Sequence, residues 1–486
     1  MNSFFKQVLC FITMVAILYS VLNPVTYFFS RPHGDHAWAQ CDRASIALNY
    51  FQFDQKLLIP HTHNLVYNSS GIAVGEFPLI PFLVSKLYRC FGFHEFLYRF
   101  FILGFSLFGF VIAFLISKDF LKTVLFQLLA ATLWLVSPNL IYYSTGFLPD
   151  TVALTFFILG FYFLVKGNFK SVRSILLFAV FSSVAVLLKS SVLFLVAATF
   201  VALLFSGDKN KAHKSISVKI LLLSIPVIIC VAWLTYAKQL QILYHSNVFK
   251  LGFMSPKTLN DVMQYSFKMA VNLPKIYPLP ILILILLSLL LLFKNFNPRN
   301  CLHVFTASGF AFWLLFYCLM MRNASFHGYY HVPFQFTVFT LFASAFKIAE
   351  EQEWSVTPYR KAGIAFFFFI SFALYGNTLQ KIYSHYDLVN TDWNTVEPTL
   401  RKAGIKNSDK VFSANDKSYN ISLYLMNQQG WNGMGDVRES YTFEALKICD
   451  YAVLTDTSYL HRPLLSNYFG KEIAKQGSLR VFKLNH

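Results

Sequence analysis

The chain has 486 residues, 56% of them hydrophobic and 13% charged, with a mean hydropathy of +0.50. Soluble domains carry about 25% charged residues, so a soluble multi-domain enzyme is excluded; repeated apolar runs near the ~20-residue spanning length indicate a polytopic α-helical membrane protein. The formal charge of +18 is dispersed among short segments between apolar runs, a pattern of topology control and anionic headgroup contact, and no nucleic acid is expected as a partner.

The first apolar run, near 4–29, lacks a small-residue cleavage site and reads as an uncleaved signal-anchor helix. A polar, aromatic loop over 30–96 follows. Further runs near 97–117, 121–142, 150–165, 174–188, 190–205, 218–236, 277–293, 302–320, 331–348 and 362–376 bring the expected number of spans to about eleven. The stretch 174–205 is broken only by Lys189-Ser190-Ser191. As one helix it would measure about 48 Å, too long for a ~30 Å hydrocarbon core, so it reads as a hairpin turning at Lys189.

Lys118, Lys122, Lys166, Lys170, Arg173, Lys209, Lys211, Lys214, Lys219, Lys294, Arg299, Arg360 and Lys361 then fall on one side, and the opposite short turns hold little more than Lys189 and Arg322. The positive-inside rule places the amino terminus in the cytoplasm. Loops 30–96 and 237–276 and the tail would lie outside the cytoplasm, in a cell membrane and most simply a bacterial inner membrane. After Gly376 the composition becomes charged. Helices are predicted over 396–403 and 441–448, strands over 410–414, 451–455 and 479–484, and a helix or strand over 421–427. The expected division is a transmembrane domain over 1–376 and an extracytoplasmic α/β domain over 377–486 that covers or binds substrate. Seven scattered cysteines match no metal or disulfide framework; Cys41 and Cys90 could pair, but free thiols are the expectation.

Candidate chemistry collects at the outer ends of these spans. Asp35, followed by His36, comes after the turn Pro32-His33-Gly34 and could accept a proton from an acceptor hydroxyl or amine. Glu76, in Gly75-Glu76-Phe77-Pro78, precedes an amphipathic interfacial helix over 82–91 and reads as a rim charge, as does His36. Asp150 starts the fourth span, where a helix N-cap would explain it, although an acid at membrane depth is a functional candidate. Lys189, Arg322 and His327 can grip a phosphate, and Tyr329 and Tyr330 can line a sugar pocket or an interfacial aromatic belt.

These residues, in this order, resemble the GT-C superfamily of membrane glycosyltransferases, nearest the dolichyl-phosphate-mannose–protein mannosyltransferases and the bacterial lipid A aminoarabinose transferases. Asp35 matches the acid of their first external loop, and 77–91 their proline-containing interfacial helix. Ser137-Pro138 through Asp150 matches the second acid, Lys189 the lysine after the fifth span, and His327-Gly328-Tyr329-Tyr330 their His-x-Tyr-Tyr segment. Two departures are His36 where many members carry a second acid, and Phe77-Pro78-Leu79 in place of Pro-Pro-Leu. The resemblance implies transfer of a hexosyl or pentosyl unit, with inversion, from a polyprenyl-phosphate donor to a glycolipid, polysaccharide or protein acceptor of the cell envelope. Asp35 would be the base, and Lys189 and Arg322 would stabilise the departing polyprenyl phosphate. No cofactor is required by that chemistry, and a divalent metal stays open. A flippase of lipid-linked sugars would need polar groups deep within spans, which are nearly absent; a non-enzymatic envelope assembly protein would leave the outer acids without a role.

Overall fold

The computed structural model describes residues 3–21, 27–65, 70–205, 212–246, 249, 251–353, 370–371, 373–383, 391–414, 416, 418–433 and 439–485. Most of the run expected over 362–376 and the cations Lys209, Lys211, Arg360 and Lys361 lie outside the described residues. In chain order the helices are α1 (Ser3–Val21), α2 (Ala37–Phe53), α3 (Leu79–Phe91), α4 (Glu95–Phe120), α5 (Val124–Leu133), α6 (Pro138–Ser144), α7 (Asp150–Lys166) and α8 (Val172–Leu188). They continue with α9 (Val192–Phe205), α10 (Ala212–Leu243), α11 (Leu259–Ile276), α12 (Leu279–Lys294), α13 (Cys301–Leu319), α14 (Met321–Phe326) and α15 (Gln335–Glu351). Shorter helices and five strands complete the tail. Two compact units result, one of residues 1–28, 99–234 and 252–382, the other of 29–98, 235–251 and 383–486.

The first unit is helical. Among the described residues α4, α13 and the part of α10 over Lys219–Leu243 are long and apolar enough to cross a membrane, and the number reaches five if each of two bent helix pairs is one span. The stretch breaks at Lys189, where a turn was expected: α8 ends at Leu188, Lys189 takes an extended conformation, and α9 starts at Val192. The run 121–142, expected as a single span, is instead two helices bent by 76°. Pro138 cannot continue the ladder of a preceding helix, and the Ser137 hydroxyl caps the new one by accepting from the Leu140 amide at 3.2 Å. Rings of Phe157, Phe161, Phe305 and Phe336 interlock where α7, α13 and α15 meet. Gly109 lets α4 approach α7, because a Cβ there would collide with the Thr155 side chain.

The second unit carries a five-stranded sheet of order β2-β1-β3-β5-β4, with β1 at Val411–Ser413, β2 at Gly430–Asn432, β3 at Tyr451–Leu454, β4 at Phe469–Gln476 and β5 at Leu479–Leu484. β1 pairs in parallel with β2 and β3, and β5 runs antiparallel to β3 and β4. The predicted strands near 410–414, 451–455 and 479–484 correspond to β1, β3 and β5, and 421–427 is a helix (Ile421–Met426). β2 and β4 were not expected: three residues are too few to show a period, and the burial of β4 does not alternate cleanly. Gly477, at φ 56°, turns the β4–β5 hairpin, which is steadied by Asp392 accepting from the Ser478 amide and hydroxyl at 2.7 Å each.

Residues of the first loop complete this sheet. Asn64 bridges Gly430 in parallel, the Gly430 amide donates to the His63 carbonyl at 3.0 Å, and the Leu65 amide donates to the Gly430 carbonyl at 2.8 Å. Leu65 joins Phe412, Trp431, Leu446, Ala452 and Phe482 in one apolar core, so the edge of β2 is occupied by the chain's own loop. On α3, the apolar stripe expected to rest on headgroups is turned inward: Ile80, Val84 and Tyr88 are buried, Tyr50 packs edge-on to Phe82, and Phe51 packs edge-on to Tyr88. None of the seven cysteines is joined in a disulfide.

Candidate functional site

In the helical unit the buried Lys189 ammonium, at the α8–α9 break, meets the Asp150 carboxylate at 2.9 Å. Lys189 is 4% and Asp150 0% exposed. The helix break is what frees this lysine: its backbone is extended, so the side chain is not confined to a helical row. Asp150 is the first residue of α7, with Pro149 before it as the cap. The N-cap reading is thereby corrected: Asp150 stands inside the helix, where its charge is favoured by the exposed amides and dipole of the first turn.

An aromatic stack lies against the lysine. The Lys189 ammonium sits 4.7 Å from the Tyr329 ring centroid and 5.0 Å from that of Tyr330, within cation–π range. His327 stacks on Tyr329 at 5.6 Å, Tyr329 on Tyr330 at 4.8 Å, and Tyr143 meets Tyr329 edge-on at 5.9 Å. The short turn over Gly328–His331 can come this close to α6 because its first residue is glycine: a Cβ there would lie 2.6 Å from the Asn139 amide nitrogen. Asn139 donates to the Gly328 carbonyl at 3.3 Å. Asp150, Lys189, His327, Tyr329 and Tyr330 thus come together as one group. Arg322, on α14, keeps an exposed side chain and uses its amide to donate to the Met254 carbonyl at 3.3 Å.

In the second unit Asp35 is buried in a turn at the entrance to α2, flanked by Gly34 at φ 77° and His36 at φ 59°. A left-handed non-glycine residue next to an acid is a form of backbone strain that recurs at functional sites. The preceding segment is clamped. The Arg31 guanidinium pairs with Glu95 at 3.1 Å, donates to the Leu425 carbonyl at 2.9 Å and lies over the Tyr424 ring, while the Tyr424 hydroxyl donates to Glu95 at 2.7 Å.

The family model for dolichyl-phosphate-mannose–protein mannosyltransferases matches residues 76–236. The structure is similar to that of ArnT from Cupriavidus metallidurans in the apo state, with TM-score 0.57 and 12% identity over 99% of this chain and 98% of that one. Against the same protein bound to undecaprenyl phosphate the TM-score is 0.58 with 12% identity, covering 97% of both chains. At 12% identity this likeness is one of fold. The Archaeoglobus fulgidus oligosaccharyltransferase, tethered with an acceptor peptide containing the NVT sequon, gives TM-score 0.55 and 11% identity over 98% of this chain and 74% of that one. No curated protein sequence matches.

Three contacts of this chain were not legible in its sequence. Arg99, buried at the start of α4, donates to the Thr145 carbonyl at 2.7 Å and lies 4.6 Å from the Phe147 ring centroid, holding the turn that leads into Asp150. Its signal was an isolated cation within an apolar run. Glu76, read as a rim charge, is held by Arg43 at 2.6 Å, and that guanidinium also covers the Phe249 ring at 4.8 Å. Asn420 is buried and accepts from the Asn64 amide at 3.1 Å.

Asp42 on α2 was also missed. Neither carboxylate oxygen has a hydrogen-bond partner among the described residues, and burial pushes the carboxyl up to about 7, with Arg43 opposing the shift and Asp416 adding to it. The folded state therefore holds a proton that the unfolded state releases between pH ~4 and pH ~7. The stability this contributes is complete below that window and lost as pH rises through it, by at most about 4 kcal/mol. Asp42→Asn is expected to raise the melting temperature more at pH 8 than at pH 5. An equal shift at both pH values, read by thermal unfolding in detergent, would show that the acid is not buried uncharged.

Proposed function

We propose that the chain transfers a single sugar from a polyprenyl-phosphate donor to an envelope acceptor outside the cytoplasm, with inversion at the anomeric carbon. The observation that carries this reading is the buried Lys189–Asp150 pair beneath Tyr329 and Tyr330. The acceptor oxygen or nitrogen forms its bond to the anomeric carbon as the bond from that carbon to the phosphate oxygen breaks. The proton goes to the Asp35 carboxylate, and the electron pair departs with the polyprenyl phosphate. Lys189 stabilises that phosphate, with Arg322 and His327 as further donors, and the tyrosines line the sugar. Asp150 acts as a positioning residue: it holds the lysine ammonium in place at 2.9 Å until a phosphate competes for it. The ArnT structure with undecaprenyl phosphate and the oligosaccharyltransferase with an acceptor peptide support the donor class and the range of acceptors. A reconstituted assay with polyprenyl-phosphate sugars tests the reading, and absence of transfer from every such donor to glycolipid, polysaccharide and peptide acceptors would overturn it.

The reading also requires about eleven crossings, a cytoplasmic amino terminus, and a tail domain beyond the opposite membrane face. A label for the tail belongs at an exposed residue such as Lys471. In a protein whose exposed thiols Cys10, Cys90 and Cys318 are replaced by serine, Lys471→Cys should react with an impermeant maleimide in intact cells and Lys294→Cys should not. The reverse pattern inverts the topology.

A further inference from the structure

We infer that α11 is a membrane-surface helix that binds anionic lipid headgroups and braces the tyrosine pair over Lys189. Its outward face bears Leu259, Met263, Phe267 and Val271, exposed by 77%, 65%, 72% and 55%. These residues stand four apart, so they form one continuous stripe along the helix. An apolar stripe this exposed needs an apolar partner.

Bilayer geometry identifies it. α11 and α12 are bent by 102° at their junction, and α12 is an apolar helix presenting Ile283, Leu286, Leu287 and Leu290 outward, as a lipid-facing span does. A helix at right angles to a span, joined to its end, lies along the membrane plane. The basic residues agree: by helical spacing Lys268 and Lys275 fall on one flank of the stripe, and Lys257 precedes the helix. The one acid, Asp261, is engaged by the capping box with Thr258.

The opposite face of α11 leads to the site. Asn272 donates to the Ser325 carbonyl at 2.8 Å, Tyr265 packs against Phe326, and from the flank the Lys268 ammonium lies over the Phe326 ring. Ser325 and Phe326 end α14, immediately before His327 and the Tyr329–Tyr330 pair. Seating α11 on the bilayer therefore fixes the segment that covers Lys189. Only this last consequence rests on the function proposed above; the lipid contact stands without it.

Nitroxide labels at Met263→Cys and Phe267→Cys, in full-length protein with Cys10, Cys90, Cys301 and Cys318 replaced by serine, test the contact in nanodiscs. Both labels should be more accessible to oxygen than to a water-soluble nickel chelate, placing them at the headgroup–acyl boundary. Replacing part of the phosphatidylcholine by phosphatidylglycerol should deepen them, and Lys268→Gln with Lys275→Gln should remove that response. Labels open to the nickel chelate as in water, labels shielded from both reagents by protein, or no response to phosphatidylglycerol would each overturn the proposal. None of these readouts depends on sugar transfer.

Discussion

Asp35→Asn is expected to abolish sugar transfer while leaving the protein inserted and folded. The substitution keeps the size of the side chain and removes its capacity to take a proton. General-base assistance is worth roughly 10²–10⁴-fold, and a loss in that range should fall on turnover. Affinity for a polyprenyl phosphate, the leaving product under the proposed function, should be unchanged, because that function assigns its binding to Lys189. Full activity of the variant in a reconstituted assay would remove Asp35 as the base. Loss of both turnover and product binding would instead indicate that the turn between Gly34 and His36 had collapsed.

The second large effect is at Lys189, and its single-residue variant needs care. Lys189→Ala leaves the Asp150 carboxylate buried without its 2.9 Å partner, and breaking a buried pair from one side costs about 3–5 kcal/mol. A loss of binding in that variant could therefore be a loss of fold. Replacing both charges, Lys189→Met with Asp150→Asn, removes the pair without stranding either member and is often close to neutral for stability. The double variant should melt within a few degrees of the parent yet bind undecaprenyl phosphate at least roughly tenfold more weakly, a difference of about 1.4 kcal/mol. Retained affinity, measured by native mass spectrometry or by the ligand-induced rise in melting temperature, would separate Lys189 from the phosphate.

Several of these residues were legible in the chain because the membrane makes them conspicuous. A lysine inside a thirty-residue apolar run is costly wherever it sits, and the length of that run demanded a turn at the same place. Hydropathy could not show the break at Ser137-Pro138, since both arms are apolar; the proline's missing amide and the serine cap decide it. Nor could it show that Arg31 is clamped by Glu95 and the Leu425 carbonyl, or that Arg43 holds Glu76, because these partners are far apart in sequence. Asp42 gave no sign of its burial, lying in a helix of mixed polarity whose burial depends on what packs against it.

The chain by itself determined the helical membrane class, the GT-C resemblance, the turn at Lys189 and the strands whose apolar character is strong, since each follows from local composition and the cost of exposing polar backbone to lipid. Only the tertiary structure decided that Asp150 and Tyr329 both converge on Lys189, that residues 63–65 complete the tail's sheet at Gly430, and that α11 turns its apolar stripe outward. Those are relations between segments distant in sequence. Their energies come from packing and charge pairing in three dimensions, and no period or propensity along one segment records them.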